Sequence, residues 1–234
     1  MKKNSRLIVV LSFLLGTTAA LYAETPLQPA KQYQKNPYSS SYSITDVRSF
    51  GTFYVEYNPH TWQYEYDFSP KYDKDFHGVS LGFSYFVPVL GSLGFDAGLK
   101  AQYLFHSEKQ AGLKHKVNMF STSLPVDIVY DLRLFHGQLA IDPFGGVYAR
   151  FNFSAKDIEE YSGERRRSVN MFNDKQTDYY DLNPFKRFQL GWQAGVNLRL
   201  GRVLTVGGAY WHDFGEVSHH TSVGGFNARL GVNF

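Results

Sequence analysis

The sequence predicts an all-β protein, an eight-stranded antiparallel up-and-down transmembrane β-barrel, and three observations carry the prediction. Segments of alternating apolar and polar residues recur from residue 49 onward. The links between them alternate short and long. The last segment, Gly225-Phe226-Asn227-Ala228-Arg229-Leu230-Gly231-Val232-Asn233-Phe234, is apolar at every second position and stops on an aromatic residue. Strands send successive side chains to opposite faces, so each segment has one apolar and one polar face.

The first segment, 50–57, carries Phe53, Val55 and Tyr57 on its apolar face. The second, 78–89, carries Val79, Leu81, Phe83, Tyr85, Val87 and Val89, and the third, 93–106, carries Leu93 to Phe105 in the same phase. The fourth is 116–130, with Phe120, Leu124, Val126, Ile128 and Tyr130 in phase. The fifth is 139–153, with Ile141, Val147, Ala149, Phe151 and Phe153 in phase. The sixth, 187–200, alternates Phe188, Leu190, Trp192, Ala194, Val196, Leu198 and Leu200 with polar and small residues. The seventh, 203–214, puts Leu204, Val206 and Tyr210 outward, and the eighth is 221–234. Links after segments two, four and six are short, while 58–77 and 154–186 are the longest. An even strand count, short turns at one end and long loops at the other describe an outer-membrane barrel whose termini are both periplasmic.

A soluble barrel would bury the apolar face instead. The polar face decides between the two: it is mostly Gly, Ser, Gln and Asn with few charges, which suits a confined interior. Glu56, Asp96, Asp127 and Asp142 fall on it, with Lys100, Arg150, Arg187, Arg199 and Arg229. Eight strands enclose only enough room for side chains, and unpaired charges there cost several kcal/mol each. Paired networks are expected, rather than a water-filled pore.

Lys2, Lys3 and Arg6 precede a short apolar run at 7–15, followed by small residues, which is the layout of a signal peptide. Residues 1–23 are expected to be removed, with cleavage after Ala20 as the alternative. Residues 24–48 lack periodicity and form an expected periplasmic lead-in, and 49–234 form the barrel domain. The chain has no cysteine, so no disulfide framework supports it. Aromatics make up 17% of the chain, and the formal charge of +3 argues for no nucleic-acid partner. Tyr and Trp gather where a membrane meets water.

The closing strand, the run Phe188-Gln189-Leu190-Gly191-Trp192-Gln193-Ala194-Gly195-Val196, and Ser123-Leu124-Pro125-Val126-Asp127 carry a resemblance to a known family. The chain resembles the small bacterial outer-membrane β-barrels, including the transmembrane domain of outer membrane protein A and the "porin family" proteins of Gram-negative bacteria. The resemblance implies the fold, a place in the cell outer membrane, and contact with outer-membrane lipid and lipopolysaccharide. It also implies that Phe226, Ala228, Leu230, Val232 and Phe234 form the signal read by the barrel-assembly machinery. Family members take structural, adhesive, ion-conducting and lipid-modifying roles, so the function stays open among these.

The candidate sites lie in the long loops. Residues 154–186 place Arg165, Arg166 and Arg167 among Tyr161, Tyr179 and Tyr180, and the first loop holds Trp62, Tyr64, Tyr66 and Tyr72. Tyr, Trp and Arg are favoured at recognition surfaces, and arginines pair with lipopolysaccharide phosphates. A host or cell-surface ligand is the expected partner of these loops. His220 and Ser222, two apart on one strand face, are similar to the His and Ser of outer-membrane lipid A deacylases, with Glu216 as the available acid. Val223 replaces that family's Asn, and no acidic residue follows Ser222. His212, Glu216, His219 and His220 also have the chemistry for a divalent metal. The reading adopted is a non-enzymatic barrel, without a cofactor, that acts through structure or surface recognition; a lipid A deacylase-like enzyme or a narrow ion channel is the alternative.

Overall fold

The computed structural model describes residues 47–64, 72–110, 112–161, 164–180 and 183–234. The expected signal peptide, residues 24–46 of the lead-in, and Tyr66 lie outside the described residues. The first strand is split by Asn58 and Pro59 into β1 (Phe50–Tyr57) and β2 (His60–Tyr64). There follow β3 (Tyr72–Leu90), β4 (Leu93–Gln110), β5 (Leu113–Tyr130), a short β6 (Leu132–Leu134) and β7 (Leu139–Tyr161). After β8 (Glu164–Asn170) and the helix α1 (Asp174–Tyr179) come β9 (Phe188–Leu200), β10 (Leu204–Asp213) and β11 (Thr221–Asn233).

The ladder is antiparallel throughout and closes on itself. Its order is β1-β11-β10-β9-β7-β5-β4-β3-β2, and β1 and β2 each pair with both β3 and β11. Counting β1 with β2, eight strands form the ring. The closing register runs from Thr52↔Asn233 to Tyr57↔Ala228. It is the pairing that an apolar last strand requires to avoid an open sheet edge. The turn at Gly91 uses a left-handed backbone, φ +56°, which a residue without Cβ adopts without strain.

The alternation reads directly as outside and inside. Phe53, Val55 and Tyr57 are exposed and Thr52, Tyr54 and Glu56 buried, and the same phase holds from 226 to 234. Inside, three zones stack along the axis. Near the short turns, Phe86, Val129, Phe144 and Ala209 cluster, and Val47 and Phe50 pack against them. A polar middle follows. Toward the long loops, Trp62, Phe76, Leu104, Val117, Met119 and Val223 form an apolar plug. The alternation therefore gives two faces, while the chemistry of the inner face changes with height.

Four strands outrun their sequence segments at the loop end. β3, β4, β5 and β7 reach Tyr72, Gln110, Leu113 and Tyr161, and β8 pairs back on β7 from Lys156↔Asn170 to Tyr161↔Glu164. The stretch expected to be a 33-residue loop thus begins as a hairpin. Its polar and charged residues mask the period of two, because neither face there is continuously apolar. Asn173 then caps α1, its side-chain oxygen accepting from the Gln176 amide at 3.4 Å.

At Gly82 the interior packs closely against backbone: a Cβ there would stand 2.3 Å from the Tyr54 ring. Gly82→Ala should lower the free energy of unfolding by about 1–3 kcal/mol through overpacking. Urea titration measures this, and an unchanged midpoint would show that Tyr54 is free to move.

Candidate recognition surface and interior network

Most charges of the polar middle are paired, whereas Asp96 has a buried carboxylate oxygen with no hydrogen-bond partner among the described residues. Arg229 lies directly opposite Glu56 in the closing ladder. Its Nε donates to Glu56 Oε1 at 2.8 Å and its Nη2 lies 2.7 Å from the same oxygen. Lys100 Nζ sits 3.1 Å from Glu56 Oε2. The Arg229 guanidinium rests 4.0 Å over the Tyr54 ring. Gln193 Nε2 donates to both Asp127 oxygens, at 2.9 and 2.7 Å. Arg150 donates to Gln189 and Asp213, and the Tyr148 hydroxyl donates to Asp213 at 2.5 Å. Nearer the short turns, Arg199 bridges Asp142 at 2.5 Å and Asp131 at 2.8 Å.

These pairs fill the barrel. A cavity between Lys100, Gln102, Arg150 and Gln193 and another between Asp96, Asp142, Arg199 and Arg229 measure about 10 and 20 Å3, each room for about one water. Of the charges expected inside, Arg187 is the exception and corrects that expectation. It is exposed, sits 4.4 Å over the Phe172 ring and donates to the Phe153 carbonyl at 3.4 Å. β9 begins at Phe188, so Arg187 keeps the inward phase but stands beyond the ring.

At the loop end a rim of charge surmounts the apolar plug. His115 Nε2 lies 2.8 Å from Asp157 Oδ1. Arg167 Nη2 donates to Glu159 at 2.5 Å and lies 3.8 Å from Asp157. Its guanidinium stacks 5.1 Å over Tyr180. Lys74 Nζ approaches His115 Nδ1 at 3.4 Å. Burial pushes the Lys74 ammonium below its ordinary pKa, and the Glu108 and Asp157 carboxylates oppose that shift.

The residues expected to form a recognition surface divide. Tyr161, Tyr179 and Tyr180 are exposed, and the last two meet edge to face at 4.8 Å. Arg165 stands opposite Glu160 in the β7–β8 register, and the side chains of Arg165 and Arg166 are outside the described residues. Arg167 turns inward to its carboxylates. Trp62 is a correction: only 1% exposed, it stacks on Phe76 at 4.5 Å and meets Phe185 at 5.1 Å. Tyr64 is half-buried against the same cluster. β2 continues β1 in phase past the Asn58-Pro59 break, so the apolar plug claims the indole.

The histidine-rich connection assembles less than its spacing suggested. Ser222 faces outward opposite Gln63, and Glu216 is exposed. Among the described residues no hydrogen bond joins His220, Ser222 and Glu216. The His219 and His220 rings lie 3.8 Å apart, tilted by 39°, with His220 in a left-handed backbone at φ 55°. His212 Nδ1 donates to the Asp213 carbonyl at 2.6 Å. Among the described residues no three His, Asp or Glu side chains converge in a metal-binding group.

The architecture defines a class: a closed eight-stranded antiparallel barrel, apolar outside and filled with polar pairs. No protein-family model matches the chain, and no curated protein matches it. Among solved structures it is similar to the attachment invasion locus protein Ail of Yersinia pestis in complex with the heparin analogue sucrose octasulfate. That match has 13% identity and a TM-score of 0.41, covering 79% of this chain and 99% of the other. Neisserial surface protein A matches at 13% identity and TM-score 0.44, covering 78% and 97%. The N-terminal β-barrel domain of Pseudomonas aeruginosa OprF matches at 12% and 0.32, covering 80% and 100%. At such identities and scores the likenesses bear neither on function nor on ligand.

Two substitutions separate plug from surface. Trp62→Ala should cost about 3–5 kcal/mol of stability by opening a cavity and should speed proteolysis within the β7–β8 hairpin. Tyr179→Ala, at a side chain 81% exposed, should change stability by about 0.5 kcal/mol or less. Denaturant unfolding with limited proteolysis compares them, and equal effects would contradict the assignment of Trp62 to the plug.

Proposed function

We propose that this chain is an integral protein of the bacterial outer membrane, with a structural and surface-recognition role and no enzymatic one. The observation that carries the reading is the outer face of the closed ring. Leu81, Leu124, Val126, Ile128, Leu230 and Val232 are each about half exposed and form one band. A soluble monomer rarely carries a contiguous apolar patch beyond a few hundred Å2. A charged, paired interior behind an apolar exterior inverts a soluble barrel and suits lipid.

Aromatic ladders border the band on both sides. Trp192, Tyr210 and Phe226 follow one another at 5.6 and 4.9 Å, and Phe120 meets Phe153 at 6.0 Å, toward the loop end. Phe53, Phe83 and Phe234 group at 5.2–6.0 Å near the short turns. Aromatics at both limits of an apolar band match the girdles of outer-membrane barrels. In this reading the short turns and both termini are periplasmic, and β7–β8 and α1 stand outside the cell. Phe226, Ala228, Leu230, Val232 and Phe234 serve as the assembly signal and then as lipid contacts. The filled interior supports a structural role over conduction. Tyr161, Tyr179 and Tyr180 are the side chains offered to a host or cell-surface ligand.

Folded protein should give a β-rich circular dichroism spectrum and migrate more slowly after heating; a helical spectrum would overturn the reading. Leu230→Arg should cost about 2–4 kcal/mol in vesicles, as expected for a cation near the bilayer midplane. Lipid A mass spectra from cells with and without the protein should be identical, and a lost acyl chain would establish an enzyme.

A further inference from the structure

A cluster of unpaired lysines lies outside the barrel, just beyond its aromatic border. The β4–β5 register puts Lys109 directly opposite Lys114. The β5–β7 register puts Lys156 opposite Asn118, two residues along from Lys116. Opposed residues share a face, and the phase of Phe105 and Phe120, both exposed, marks this face as the outer one. Like charges directly opposed across two strands have Cβ atoms about 4.5–5.5 Å apart and destabilise the pair.

Lys109, Lys114 and Lys156 have no ion pair or hydrogen bond among the described residues. Glu160, opposite Lys114, is engaged by Lys116 at 2.5 Å. Asp73 and Asp75 lie on β3, whose ladder with β4 ends at His77↔Phe105, and Asp75 accepts from the Thr61 hydroxyl at 3.0 Å. At the loop ends of β9, β10 and β11 the outer face presents Phe188, His212 and Ser222, with Lys186 and Arg187 exposed just before β9. Of the arginine triplet, Arg165 stands opposite Glu160 in the register, and Arg167 is turned inward by Glu159 and Asp157.

We propose that Lys109, Lys114 and Lys156, beside the Lys116–Glu160 pair, form a binding face for the phosphorylated headgroups of the lipids that surround the barrel. The proposal rests on the outer-membrane reading above and names the lipid chemistry it meets. Lys116 is four residues beyond Phe120, about 13 Å along the strand before tilt. That sets the ammonium groups at headgroup depth when the aromatic border sits at the edge of the hydrocarbon. A phosphate between opposed lysines removes their repulsion and gains charge-assisted hydrogen bonds. The result is an anchor on the β4–β5–β7 side of the barrel that holds it against phosphorylated lipid.

The test uses full-length protein in phosphatidylcholine nanodiscs doped with diphosphorylated lipid A or with its dephosphorylated form. Native mass spectrometry reads which lipid is retained. Wild type should retain the diphosphorylated form preferentially. Each Lys→Gln change at 109, 114 and 156 should reduce that preference about fivefold, and the triple variant about a hundredfold. Lys175→Gln on α1 should leave it unchanged. Heat-dependent migration reports that each variant is folded. Equal retention of both lipids by inserted wild type overturns this inference alone, as does a triple variant that keeps the preference. Displacement of lipid A by millimolar inorganic phosphate also overturns it, because the face would then be a general anion surface. Failure of wild type to insert overturns the membrane reading, and this inference with it.

Discussion

The antiparallel ladder between β1 and β11 joins the first strand of the ring to the last. Without it the sheet would end in two open edges, each a row of unpaired amides and carbonyls. Glu56 and Arg229 face each other across that seam, so closing it also assembles the central ion pair. Lys100 reaches the same carboxylate from β4. Backbone closure and interior electrostatics are therefore one event. A slip of one residue would expose Arg229 to the outside and bring Leu230 in.

Once the ring is closed, the interior must be filled, and height along the axis decides with what. The middle lies between apolar clusters, and most of its charges pair with one another or with Gln189 and Gln193. The two ends are sealed by apolar side chains. Phe86, Val129 and Phe144 lie near the short turns, and the larger Trp62 cluster lies under the hairpin and α1. This arrangement leaves the ends dry and the centre polar. Breaking one member of a buried pair costs more than the pair contributes, since its partner stays buried and uncompensated.

Most of the ring could be read from the chain because its constraint is local and periodic. Segment boundaries at Phe50, Leu93, Leu139, Leu200 and Thr221 agree with strand ends, and Thr52, Glu56, Asp127, Asp142 and Arg229 point inward as their phase requires. The site residues were far less legible. Trp62 and Tyr64 read as loop aromatics because two residues, Asn58 and Pro59, interrupt the strand. Arg167 read as available because its carboxylate partners lie across a hairpin whose residues follow no apolar alternation. The lysine face was missed because it draws on three strands and only the register brings Lys109 and Lys114 together.

The count of strands, their two-faced character and the pairing of the last strand with the first follow from residue order. A period of two leaves a single way to put apolar side chains on one side of a closed sheet. Which charges pair, which aromatics seal the mouth and which lysines share a face follow from register and shear across strands distant in sequence. Those quantities arise only when the sheet closes, and no local pattern encodes them.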